Sequence, residues 1–319
     1  MGIVLSLEGA LGQGILWGIM ALGVYVTFRL LDFADLTVDG SFATGGAVSA
    51  VLIISGVNPF LSVLIATVAG IAAGAVTGLL NTVCKIPPIL AGILSQIGLY
   101  SINLMIMGAS NLPLLKFSTM FSQLADLIHL PEGVAAWITP SNLTSISIGV
   151  LFTIAVIAFC YWFFGTEIGS SIRATGNNMH MVRANGVSTG TTTVLALMIS
   201  NGLIAMSGAL VAQQQGYADV KMGIGAIVMA LASIVIGETI FGRKGGFLRR
   251  LISIVIGSVI YRMIVSVVLQ MGLNPDNLKL FTAVLVGIAL TIPVIMEKRS
   301  QTAMYKKLTA AVDSVEEKF

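Results

Sequence analysis

The sequence predicts an all-α integral membrane protein, a polytopic bundle of about nine transmembrane helices within a range of eight to ten. Three observations carry this. Of the 319 residues, 56% are hydrophobic and only 10% charged, against roughly 25% charged in soluble domains. The mean hydropathy is +0.97. The apolar runs continue unbroken for close to the ~20 residues that a helix needs to cross a bilayer. Lipid offers no partners to backbone polar groups, so only helices and closed barrels span it. Barrel strands alternate apolar and polar residues over roughly ten positions, a pattern absent here.

The predicted spans fall in order at about 9–30, 40–57, 59–83, 87–108, 143–164, 190–213, 223–242, 250–271 and 278–296. Between the first two, Asp32, Asp35 and Asp39 crowd into a short stretch. It reads either as a tight cytoplasmic turn or as a broken, re-entrant segment. Residues 109–142, with Pro113, Pro131, Pro140 and Trp137, read as an external loop with short interfacial helices. Phe33-Ala34-Asp35-Leu36 resembles Tyr217-Ala218-Asp219-Val220. Each precedes a Gly/Ala-rich span, and the odd offset of five spans suits an inverted repeat. Four matched positions also arise by chance.

Lysine and arginine orient the bundle. With residues 165–189 in the cytoplasm, Arg29, Lys85, Arg173, Arg183, Arg243, Lys244, Arg249 and Arg250 fall inside. So do the tail residues Lys298, Arg299, Lys306, Lys307 and Lys318, while the outer loops keep Lys116, Lys221 and Lys279. The C-terminus is thus expected in the cytoplasm and, with nine spans, the N-terminus outside. No linker divides the chain. One membrane domain is expected over 1–297, with a charged cytoplasmic tail at 298–319.

No basic region precedes the first apolar run, which argues against a cleaved signal peptide. The Met1-Gly2…Ser6 match to a myristoylation pattern is short, and the spans already anchor the chain. Cys84 and Cys160 read as small buried hydrophobes. His129 and His180 match no metal spacing, and no metal site is expected. There is no G-x-x-x-x-G-K-[ST] phosphate loop; Gly242-Arg243-Lys244-Gly245-Gly246 lacks both the spacing and the hydroxyl. No catalytic set stands out either. The chain is therefore read as neither an ATPase nor another enzyme, with no cofactor of its own.

The chemistry that is present sits in two places. The loop 165–189 is the most polar long stretch between spans. Residues 177–184 suit a short helix punctuated by Gly176 and Gly186, presenting Arg173, His180 and Arg183 to a cytoplasmic partner. An ordinary polar loop obeying the positive-inside rule is the plainer reading. Within the spans, polar residues default to functional hypotheses because burial in lipid is costly. Arg262, about twelve residues into the eighth span, needs a partner such as Glu238 or a substrate carboxylate. Glu238 suits an inner gate or a helix-packing role. Asp35 and Asp39 either meet a substrate ammonium or cap the following helix. Ser95, Gln96 and Asn201 line a pathway or tie helices together.

The string I-R-A-T-G-N-N-x-x-x-V-R-A-N-G-V, from Ile172 to Val187, resembles the coupling-helix region of permeases in branched-chain amino acid and ribose-type ABC importers. Leu31–Phe42 and Ala232–Gly245 resemble the same family. The Asp-rich first stretch, with Pro275–Leu280, is similar to a subgroup paired with lipoproteins that bind tryptophan or tyrosine. The likeness covers nearly the whole chain, and the coupling string is its most specific part.

That resemblance implies a permease subunit in a bacterial inner or plasma membrane, importing a small solute, an amino acid and by preference an aromatic one. It implies a second permease copy, separate ATP-binding cassette subunits carrying ATP and Mg, and an external solute-binding protein. It places ATPase coupling at Arg173, Gly176, Asn177, His180, Arg183, Ala184 and Gly186. No nucleic acid partner is implied. One departure stands out: many sugar and branched-chain relatives carry a glycine where this chain has Glu238. An ion-coupled secondary transporter is the alternative; it would use buried acids and have no need of a docking helix.

Overall fold

The computed structural model describes residues 2–127, 139–242 and 245–271, and beyond them 280–284, 286–288 and 291. Residues 128–138 of the expected external loop, Arg243, Lys244, the 275–279 stretch, most of the expected ninth span and the tail 298–319 lie outside the described residues.

The other eight expected spans are all apolar helices, with ends within a few residues of expectation except at the start of the first. α1 (Gly2–Tyr25) runs into a π-helical turn (Val26–Leu30). α2 (Val38–Ile54), α3 (Pro59–Thr82) and α4 (Pro88–Met107) follow. A three-residue strand β1 (Asn111–Pro113) and α5 (Met120–Leu127) lead to α6 (Pro140–Gly165). Two short helices, α7 (Glu167–Asn177) and α8 (Met179–Ala184), precede α9 (Thr189–Gln215). After β2 (Tyr217–Asp219) come α10 (Ala226–Phe241) and α11 (Phe247–Gln270). Six helices among the described residues are long and apolar enough to cross a membrane; α2 and α10 are apolar but shorter.

α1 and α9 form the centre. In their most apolar windows 78% and 72% of residues are buried, against 28% in α4, which faces outward. The central pair is antiparallel: Ser207 Oγ donates to Leu16 O at 2.7 Å and Ser200 Oγ to Gly23 O at 2.8 Å. α2 lies parallel to α9 and α3 antiparallel to it, with backbones nearly touching. A β-carbon on Gly45 would sit 1.9 Å from the Ala205 carbonyl oxygen, and one on Gly208 2.0 Å from that of Phe42. Without a hydrophobic drive between helices in lipid, such small-residue contacts and interhelical hydroxyl bonds supply the association.

The Asp-rich stretch resolves to the re-entrant alternative. Asp32 takes a left-handed φ of +55°, which an L-residue other than glycine adopts rarely and which ends the helical path. Leu31, Phe33 and Asp35 are buried. The chain 31–37 thus climbs back into the bundle, and α2 begins beside the middle of α9, where Ser41 Oγ donates to Asn201 Oδ1 at 2.6 Å.

A second re-entry mirrors it. α9 stops at Gly216, whose φ of +76° forms a left-handed cap. β2 then pairs antiparallel with β1, Leu112 opposite Ala218. From there the chain descends until Gly223 lies against Asp39, where a β-carbon would be 1.9 Å from the Asp39 carbonyl oxygen. α10 starts at that depth and runs to the C-terminal end of α1 and its π-turn, where Glu238 meets Arg29. The starts of α2 and α10 therefore face each other inside the bundle, and the two helices run in opposite directions. The strand pair was not anticipated, because three-residue strands are too short to show a period of two.

Of the cysteines, Cys160 is buried as expected; Cys84 is exposed, just beyond the end of α3.

Candidate functional site

Two groups of residues stand out, one at the end of the bundle formed by α7 and α8 and one at its centre.

At the α7–α8 end, the expected loop is two capped helices. Thr166 Oγ1 accepts from Gly169 N at 3.3 Å and starts α7. Asn178 Oδ1 accepts from Met181 N at 3.0 Å and starts α8. Gly186, at φ +80°, turns the chain, and Ser188 caps α9. These side chains satisfy helix-start N–H groups that have no partner within the helix. α7 was missed as a helix because its apolar positions are few and Gly169 and Gly176 interrupt it. Both glycines are contacts rather than breaks. A β-carbon on Gly176 would sit 2.1 Å from the Leu30 carbonyl oxygen, at the end of the π-turn that follows α1.

The proposed coupling residues therefore separate. His180, Arg183 and Ala184 lie on the exposed α8, with Met179 and Met181 also exposed at 42% and 60%. Arg183 Nε donates to Thr189 Oγ1 at 2.8 Å, which ties α8 to the start of α9. Asn177 is exposed at the end of α7, and Gly186 faces open space. Arg173 departs from expectation. It belongs to α7, not to the short helix, and is half-buried with its guanidinium 5.7 Å from the centre of the Phe247 ring.

At the centre, Asp35 is buried, with no cation bonded to it among the described residues. Its carboxylate accepts from Thr37 N at 2.9 Å and from Asn201 Nδ2 at 2.8 Å. Thr37 Oγ1 lies 2.9 Å from Thr77 Oγ1, which donates to Ser95 Oγ at 2.7 Å. Asp35, Asn201 and Ser95 are thus one network stitching the re-entrant segment to α3, α4 and α9.

Asp39 does something else. Its carboxylate accepts from Gly225 N at 3.0 Å and Ile227 N at 3.1 Å. It caps α10 from another helix, a contact that links the two re-entries and that the spacing of residues along the chain does not betray. Beside it opens a cavity of about 290 Å³ lined by Asp39, Gln96, Ile97, Tyr100, Asn103 and Ile224, among others. Asn103 and Tyr100 were not singled out from sequence. The signal was present: Gln96, Tyr100 and Asn103 recur at helical spacing, i, i+4 and i+7, within an apolar span.

Two expected partners are not together. Glu238 pairs with Arg29 at 2.6 Å, not with Arg262. Arg262 stacks 4.1 Å above the centre of the Trp17 ring, and its Nη1 lies 3.4 Å from Gln13 Oε1. The reason is depth: Arg262 and Glu238 sit toward opposite ends of the bundle, and the Trp17 face offers a cation-π contact in the place of an anion.

Comparison with known proteins follows the same lines. A family model described as the permease component of branched-chain amino acid transport systems matches residues 6–291. The tyrosine transport system permease protein of Clostridioides difficile (strain R20291) is 38% identical over 274 residues, 86% of this chain and 86% of that protein. The ribose import permease protein RbsC of Escherichia coli (strain K12) is 27% identical, with 82% of each chain covered. In the solved PsaBC from Streptococcus pneumoniae in complex with Fab, one chain aligns over 88% of this chain at a TM-score of 0.49 and 15% identity.

Proposed function

The chain belongs to the family of branched-chain amino acid transport permeases, and from that premise we propose that it is the membrane-spanning subunit of an ATP-driven importer for an amino acid, aromatic ones preferred. The observation that carries the reading is α8: a capped helix with Met179 and Met181 exposed beside His180 and Arg183. Apolar side chains with a basic fringe suit a groove on a partner protein, here an ATP-binding cassette subunit. The identity to a tyrosine permease favours an aromatic substrate.

The geometry supplies a route for the coupling. α8 continues from α7, and Gly176 of α7 rests on Leu30. Leu30 ends the π-turn of α1, a kind of turn often found at functional sites. Arg29, in that turn, holds Glu238 near the inner end of α10. Movement of α8 driven by ATP would pass through these contacts to α10, which starts at the central cavity. Two short helices meeting start to start are a recurring device of transporters that alternate access. Their opposed directions, each after a re-entry, support the inverted repeat.

A second copy of the chain would complete the path, covering the outward face of α4. In the same reading a solute-binding protein, tethered as a lipoprotein, docks at the β1–β2 end. That end faces outside and the C-terminus the cytoplasm, by the distribution of Lys and Arg. Asp35 and Asp39 both have protein donors on their carboxylates, an arrangement of structural acids more than of ion-coupling ones.

The test is co-purification with the ATP-binding protein encoded beside it, followed by ATPase assay in lipid. Activity that rises with a loaded solute-binding protein supports the proposal. A chain that never associates with an ATPase refutes it.

A further inference from the structure

We infer that the central cavity between α2, α4 and the start of α10 binds the ammonium group of the transported amino acid, with Asn103 as its principal acceptor; this rests on the transport reading above. Asn103 is fully buried, at 0% exposure, and lines the cavity. Its Nδ2 donates to Gly40 O at 3.4 Å, while Oδ1 has no hydrogen-bond partner among the described residues. A buried acceptor left open at membrane depth is costly, and such a group points to a donor that arrives from elsewhere.

The surroundings specify that donor. Asp39, one residue from the carbonyl that Asn103 binds, lines the same cavity. Each of its carboxylate oxygens already accepts one backbone N–H, but an ionised carboxylate has about four acceptor sites. The starts of α2 and α10 converge here, and their partial positive charges offset that of Asp39. The site is therefore close to neutral overall and rich in acceptors at one corner. That suits the ammonium of a zwitterion better than a free cation or an anion.

Apart from Gln96, the rest of the wall is largely apolar. Ile97, Val220 and Ile224 line it, together with Tyr100, which is 44% exposed. An amino acid seated by its ammonium at Asn103 would lay its side chain along this wall, where Tyr100 offers an aromatic face. The cavity of about 290 Å³ has room for a side chain of aromatic size.

The test is equilibrium binding of radiolabelled L-tyrosine to the purified permease–ATPase complex, without the solute-binding protein. Competitors are tyramine, which keeps the ammonium and lacks the carboxylate, and the desamino acid, which does the reverse. Tyramine should compete and the desamino acid should not. N103L should weaken binding about 10- to 100-fold, the worth of one bond to a charged group. N103D, which keeps an acceptor oxygen, should retain binding that N103L loses. Co-elution with the ATPase subunit verifies that each variant is folded. Equal competition by both analogues, or tyrosine binding by N103L at the parent's affinity, overturns the inference. So does a complex that imports tyrosine when given its binding protein yet binds none without it, an outcome that leaves the importer reading standing.

Discussion

Replacing Gly176 with alanine isolates the contact through which α8 reaches the bundle. The new β-carbon would lie 2.1 Å from the Leu30 carbonyl oxygen and 2.9 Å from the Leu31 carbonyl carbon. To regain ordinary contact at 3.4 Å, α7 must retreat by about 1.3 Å, a displacement that packed elements resist at roughly 1–3 kcal/mol. Alanine in a helix returns about 0.5–1 kcal/mol relative to glycine. The net effect is a stability loss between about zero and 2.5 kcal/mol. Transport should fall more than stability does, because the shift opens the seat of α7 on the π-turn. Gly165→Ala is the control, since a β-carbon there meets nothing within 4 Å. The assays are thermal unfolding in detergent and ATP-driven uptake in proteoliposomes. If G176A matches G165A in both, the seat on Leu30 transmits nothing and the coupling route is wrong.

Other expectations follow from the same geometry. N201L removes the bonds to Asp35 and Ser41; it should destabilise the fold by about 1–3 kcal/mol, the cost of orphaned buried groups, read as a lower unfolding temperature. The Arg29–Glu238 pair is partly exposed, at 31% and 16%, so E238Q should cost at most about 1 kcal/mol while lowering uptake; a charge-swapped double variant, R29E with E238R, should recover transport over either single change. M181E places a charge on an exposed apolar position of α8. It should release the ATPase subunit on size-exclusion chromatography without moving the unfolding temperature. An intact M181E complex would count against α8 as the docking element.

How much was legible beforehand depended on what a linear pattern records. Apolar runs report that a helix crosses or enters lipid, and eight stretches were placed that way. They do not report depth. α2 and α10 read as ordinary spans although both begin inside the bundle, because hydropathy is the same for a helix that starts at the surface and one that starts midway. The Asp-rich stretch was recognised as awkward. Its resolution needed Asp35 to find Asn201 across the fold and Asp39 to find Gly225, pairings set by tertiary contact alone. Arg262 was expected to pair with Glu238 or a substrate carboxylate; the group it stacks on is an aromatic face, which charge counting overlooks. Asn103 was passed over because a lone amide in an apolar run looks like helix glue. Only its empty Oδ1 and the cavity beside it separate it from Asn201, whose amide is fully engaged.

The most direct measurement is uptake of radiolabelled tyrosine into proteoliposomes holding this chain and the neighbouring ATP-binding protein. The solute-binding protein is supplied outside and ATP is enclosed or omitted. The account predicts accumulation that requires ATP, requires the binding protein and is indifferent to collapse of proton and sodium gradients. Uptake by the chain alone, driven by an ion gradient and unaffected by ATP, would contradict it.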